Sequence, residues 1–130
     1  MKSMKKDYDQ FKKEEINKEV SAQGIPKETN SVSVNYDSPL AGYMQSARID
    51  ILGGVAKVTA TNTGNNDLKV SILSYKFAMK VVKSWTVKPG ATLNTGEFSI
   101  TGDTYALRVG RASDSYPTTG RGTLYGITYL

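Results

Sequence analysis

From residue 31 onward the chain alternates apolar and polar side chains with a period of two. Val32, Val34 and Tyr36 alternate with Ser31, Ser33 and Asn35, Ile49 and Ile51 with Arg48 and Asp50, and Ala56, Val58 and Ala60 with Lys57, Thr59 and Thr61. Successive side chains of an extended strand point to opposite faces, so each run reads as a strand with one dry face and one wet face. Tyr105, Leu107 and Val109 repeat the pattern, and Tyr125, Ile127 and Tyr129 carry it to the end. The run Asn62-Thr63-Gly64-Asn65-Asn66-Asp67 reads as a hairpin loop into a strand over 68–72. Val70 and Ile72 are even-numbered whereas Leu73, Tyr75, Phe77 and Met79 are odd, which predicts a bulge or bend between Ile72 and Leu73 and a change of sheet nearby. Val81, Trp85 and Val87 continue the odd set, with Lys83 as its polar member, until Lys88-Pro89-Gly90 stops the strand. Phe98 and Ile100 form a short strand ahead of a Gly102-Asp103 turn. Roughly seven to nine short strands separated by turn signals predict an all-β fold. The expected architecture is an antiparallel two-sheet β-sandwich, immunoglobulin-like or jelly-roll, over residues 30–130.

Residues 1–29 read differently. Met4, Tyr8 and Phe11 share one helical face, but Ile16 and Val20 lie well around the cylinder from it. Glu14 and Glu15 precede Lys18 at helical spacing, and Gly24 and Pro26 end the pattern. The segment is a charged helix, or a solvated spacer that is disordered alone.

Composition narrows the chemistry. The 130 residues suit one domain, and they include neither His nor Cys. That excludes Ser-His-Asp and Cys-based nucleophiles, nitrogen- and sulfur-ligated zinc, and haem held by His or Cys. Carboxylate-only catalysis and an oxygen-ligated Ca²⁺ site survive. Seventeen basic and twelve acidic residues give a net charge of +5, a modest field that favours anionic partners without specifying one. The longest apolar stretch, Ile51-Leu52-Gly53-Gly54-Val55-Ala56, is too short for a membrane span. Asp7, Tyr8 and Asp9 follow the basic start where a secretory signal would need an apolar core. The Thr/Ser/Asn-rich, Cys-free composition is the basis for expecting a secreted or cell-surface protein, with the cytoplasm as the alternative.

Four groups of residues merit attention. The stretch 110–122 lacks apolar alternation, and Arg108, Arg111 and Arg121 are expected to converge with Tyr116 on a planar anion or a sugar. The bland reading is a mobile connection whose Gly and Pro satisfy turn geometry. Lys76, Lys80, Lys83 and Lys88, interleaved with Tyr75, Phe77 and Trp85, offer the elements of a single-strand nucleic-acid groove, although Trp85 has the parity of a core residue. Asn62, Asn65, Asn66 and Asp67 cluster like calcium ligands but hold one carboxylate, and hairpin chemistry explains them as well. Nothing selects a catalytic pair from Asp37, Asp50, Asp67, Glu97, Asp103 and Asp114. The resulting expectation is a non-catalytic module, bacterial-surface or secreted, that needs no cofactor and recognises a protein or glycan through its end loops. Two alternatives are an OB-like domain binding single-stranded nucleic acid, and a subunit that self-assembles through an edge strand ending in Tyr129-Leu130.

Overall fold

The structure is a computed structural model and describes residues 26–38 and 40–129. The helical or disordered segment expected over 1–29 lies outside the described residues, apart from Pro26–Glu28 and Thr29. Thr29–Ile127 form one compact unit.

Nine strands are described: β1 (Pro26–Tyr36), β2 (Tyr43–Gln45), β3 (Ile49–Ile51), β4 (Val55–Asn62), β5 (Leu68–Ser74), β6 (Lys80–Val87), β7 (Thr92–Ser99), β8 (Asp103–Arg111) and β9 (Gly120–Tyr129). They form two antiparallel sheets. The front sheet runs β2-β8-β5-β6, with β3 also paired to β8 beyond the end of β2, and the back sheet runs β1-β9-β4-β7. An immunoglobulin-like sandwich keeps several consecutive strands side by side. Among the described strands β5 and β6 are the one consecutive pair joined within a sheet; apart from β2 and β3, which both lie in the front sheet and pair with β8, the chain otherwise alternates between layers. That interleaving is a jelly roll.

The period-two runs behave as their chemistry requires. β3 and β4 alternate strictly between buried and less buried positions, and Val34 and Tyr36 bury from β1. Front-sheet residues Leu68, Val70, Ile72, Tyr105, Leu107 and Val109 pack against Ala56, Val58, Ala60 and Leu124 of the back sheet. The ladder between β5 and β6 shifts register at Ile72/Leu73, where the parity change lies.

Four expectations are corrected. The chain does not change sheets near Leu73: β5 stops at Ser74, residues 75–79 turn, and β6 returns beside it. The crossing between layers occurs instead at residues 63–67, the run read as a hairpin, which joins β4 of the back sheet to β5 of the front. In β9 the alternating buried positions are Gly120, Gly122, Leu124 and Gly126; of the expected set of Tyr125, Ile127 and Tyr129, Ile127 is buried while Tyr125 and Tyr129 are only half-buried. A Cβ on Gly122 would lie 3.1 Å from Val109 Cγ2 and 3.2 Å from Leu107 Cδ2, so glycine makes room for the large front-sheet residues. The same topology places β9 between β1 and β4, and the chain's last described strand is not an exposed edge.

Trp85 is half-buried and packs against the core at the margin of the sandwich. Its ring centroid lies 5.9 Å from that of Phe98 on β7, tilted by 54°.

Candidate functional site

Asn62 organises one end of the sandwich. Its side chain is 1% exposed, a position that a primary amide tolerates only with its hydrogen bonds made. Nδ2 donates to Asn66 O (2.7 Å) and Val87 O (2.8 Å), while Oδ1 accepts from Gly64 N and from Thr118 Oγ1, both at 2.9 Å. The sheet crossing, the end of β6 and the long loop over residues 112–119 thus meet at one amide. Thr63 N donates to Thr119 O (3.0 Å), Asn66 Nδ2 to Pro117 O (2.8 Å) and Ala112 N to Asp67 O (3.2 Å). Gly64 completes the junction, because a Cβ there would sit 2.5 Å from Thr119 N and 2.9 Å from Thr118 Cα. The loop is tied at Ala112 and again at Pro117, Thr118 and Thr119.

Two hollows flank the start of this loop. The first, of about 280 Å³, is lined by Asn65, Asn66, Asp67, Pro89, Ala112, Ser113 and Tyr116. Tyr116 is 60% exposed there, on a turn closed by Tyr116 N donating to Ser113 O (3.1 Å). Asp67 Oδ2 lies 3.4 Å from Lys88 Nζ, an exposed pair of small energetic weight.

The second hollow, also about 280 Å³, lies on the outer face of the front sheet between Tyr43, Lys69, Ser71, Arg108, Gly110, Arg111 and Asp114. Register builds it. Directly opposed residues of antiparallel strands share a face, so Gln45, Arg108, Ser71 and Ser84 form one row across β2, β8, β5 and β6, and Tyr43, Gly110, Lys69 and Thr86 form the next. A Cβ on Gly110 would lie 2.6 Å from Tyr43 Cβ and 2.5 Å from Gly42 O, so the glycine is both the floor of the hollow and the reason β2 can pair there. Arg108 stacks its guanidinium 4.0 Å from the Tyr43 ring centroid. Its Nη2 and Nε donate to Gln45 Oε1 at 3.0 and 3.3 Å.

Of the four residues singled out from sequence, Arg108 and Arg111 line one hollow, Tyr116 lines the adjoining one, and Arg121 lies elsewhere. Arg121 is on the back sheet, beside Ser33, Asn35, Thr59, Thr61 and Thr123 along a groove of about 560 Å³. Tyr43, Gln45 and Lys69 were not anticipated. The other candidate groups disperse. Lys83 lies over the Phe98 ring at 5.1 Å, beside Trp85, whereas Lys76 lies over Phe77 at 5.8 Å and Lys88 faces Asp67. In the asparagine cluster Asn62 Oδ1 is already occupied by two donors.

The acids are equally scattered. Asp50 Oδ1 accepts from Thr104 Oγ1 at 2.6 Å, and Asp114 sits 3.8 Å from Arg111 Nε. Asp103 accepts from the Ser74 hydroxyl and from the backbone N–H groups of Thr104 and Lys76 at the β5–β6 turn. The Ser74 bond chiefly holds the Asp103 carboxyl below its ordinary value, against an opposing desolvation and with help from Thr104 and Lys76. Burial, followed by the charge of Asp103, raises the Tyr105 phenol above its ordinary value. Both arrangements are structural: they fasten the opposite end of the sandwich. Among the described residues no helix is long and apolar enough to cross a membrane.

No protein family matches the chain, and no curated protein does. Solved structures do. The CBM36-1 domain of a multidomain xylanase from the hindgut metagenome of Trinervitermes trinervoides superposes with a TM-score of 0.50 at 10% identity, covering 79% of this chain and 98% of that one. A protein of the Bacillus endospore appendages, described as disulfide-linked pili, gives 0.48 at 13% identity over 87% and 99%. CsCBM6-3 from Clostridium stercorarium, solved with cellobiose, gives 0.42 at 11% over 75% and 74%. Likeness at this level is likeness of fold: the chain shares its β-sandwich architecture with the CBM36-1 domain.

Proposed function

We propose that this chain is a non-catalytic, secreted or cell-surface module that binds a glycan at the loop end of its jelly roll, with Tyr116 as the sugar-facing ring. One observation carries the reading: a large aromatic side chain is 60% exposed on a loop that is held just after it, by Asn66 at Pro117 O and by Asn62 at the Thr118 hydroxyl. A flat ring presents an apolar surface to the C–H face of a pyranose, and the Asn65, Asn66 and Asp67 side chains beside it suit the hydroxyls. A loop tied at both ends has less freedom left to lose on binding, which conserves affinity in a shallow site. The xylanase-derived domain described above is named as a carbohydrate-binding module on the same architecture. Fold alone does not transmit function, so the weight rests on the site.

The test is titration calorimetry of the full chain against soluble neutral and acidic polysaccharides, with Tyr116→Ala beside the wild type. Saturable binding is expected, weakened about tenfold or more by the substitution, the size of one well-used aromatic contact. The melting temperature should hold, because the ring is exposed. Absence of binding to any polysaccharide, or wild-type affinity in Tyr116→Ala, would overturn the reading.

A further inference from the structure

We infer that the hollow between Tyr43 and Lys69 is a subsite for a sugar carboxylate, so that the glycan recognised is acidic, of the uronic-acid kind; this rests on the glycan reading above. Three cations, Lys69, Arg108 and Arg111, line the hollow against one acid, Asp114, and that acid lies by Arg111. Arg108 differs from an ordinary surface arginine in two respects. Among the described residues its partners, the Gln45 amide and the Tyr43 ring, are both neutral, so its charge is held in place without being cancelled. Stacking fixes the plane of the guanidinium, and Gln45 occupies only part of its five-donor fork. A planar fork whose rotamer freedom is already lost matches the geometry of a carboxylate, with two parallel N–H···O bonds, at reduced entropic cost.

The surroundings fit a sugar rather than a bare ion. Gly110 leaves a floor without a side chain, Ser71 and Ser84 extend the row beyond Arg108, and the hollow's volume of about 280 Å³ suits one pyranose unit. The loop that begins at Arg111 separates this hollow from the one at Tyr116. A polymer crossing the loop would place a neutral ring face on Tyr116 and a carboxylate on Arg108.

The experiment compares oligogalacturonides, their methyl esters and a sulfated glycan of equal charge density, titrated against the full chain and against Arg108→Lys and Arg121→Ala. The free acids should bind about tenfold or more tightly than the esters, in which the same sugars lack the charge. Arg108→Lys keeps the charge but not the fork and should lose most of that preference. Arg121→Ala removes the same charge from the other sheet and should leave affinity intact. Equal affinity for acid and ester, a wild-type preference in Arg108→Lys, or equal affinity for the sulfated polymer would each overturn the carboxylate subsite. If neutral glycans bind and depend on Tyr116 while acids gain nothing, the glycan reading survives and this inference falls. If no glycan of any charge binds, both fall.

Discussion

Asn62→Ala tests how the loop end is held. The substitution removes four hydrogen bonds from one buried amide: donations to Val87 O and Asn66 O, and acceptances from Thr118 Oγ1 and Gly64 N. The Val87 and Thr118 bonds are buried, so each abandoned partner keeps about 1–3 kcal/mol of uncompensated desolvation. The Asn66 and Gly64 bonds are part-buried, and water can replace them at about 0.5–1 kcal/mol each. The terms sum to about 3–8 kcal/mol, and taken near the lower end, because bonds to one side chain are not additive, the total is about 4 kcal/mol, a large share of the roughly 5–15 kcal/mol that holds a domain together. At about 4–8 °C per kcal/mol for a domain of this size, the melting temperature should fall by about 15–30 °C. Asn62→Asp preserves shape but turns two donors into acceptors facing carbonyl oxygens and buries a charge. It should be at least as damaging at neutral pH and should recover partly on acidification, when the protonated carboxyl regains one donor. Asn65→Ala, at an exposed position of the same loop, should stay within about 0.5 kcal/mol of the wild type. Thermal melts followed by circular dichroism measure all three. A melting temperature for Asn62→Ala within a few degrees of the wild type would refute the claim that this amide ties the three segments together.

Two further outcomes follow from packing and charge. Because the folded-state pKa of Asp103 is depressed, its contribution to stability is complete above the ordinary carboxyl value of 3.8 and is lost as pH falls through the lower folded value. The wild type should therefore lose more melting temperature than Asp103→Asn on acidification below about pH 4, and parallel curves would show that the Ser74 bond has no such consequence. Gly122→Val drives side-chain atoms into Leu107 and Val109 and should cost about 1–3 kcal/mol in urea unfolding. Combined with Leu107→Ala, which vacates that space, it should cost less than the two single changes together, and strict additivity would exclude the contact.

The β-strands were legible because period two is imposed by the backbone itself: Val34, Val58, Leu107 and their neighbours bury as their parity demands. Even the bulge at Ile72/Leu73 announced itself as a parity error. Topology was not legible in the same way. A polar Asn/Gly run satisfies a tight hairpin and a crossing between sheets equally well, and only Asn62, buried among the backbone groups of three segments, distinguishes them. Of the apolar set ending in Tyr129, Ile127 buries but Tyr125 and Tyr129 do not, because hydrophobicity does not by itself make a position inward-facing. In β9 the inward positions are mostly glycine, and the front sheet supplies the volume.

The candidate site lies beyond local patterning for a related reason. Alternation assigns a residue to a face but leaves open which strand lies beside it, and a shift of register would seat a different partner against Arg108. Gln45 and Tyr43 stand more than sixty positions from Arg108 and Gly110, and register alone joins them. The long loop marked the end of the molecule where the two hollows lie because a structureless stretch after a regular strand must run over the surface. It did not show that Arg121, the first residue after Gly120 in β9, returns on the opposite layer. A stacked, amide-held arginine is therefore a property of the β2–β8 pairing, and any change that unseats β2 should abolish it without touching Arg108. Gly110→Ala is that change, since its Cβ would overlap the backbone of Gly42 and the side chain of Tyr43. If acidic glycans bound this variant as tightly as the wild type, the platform would not be where recognition occurs.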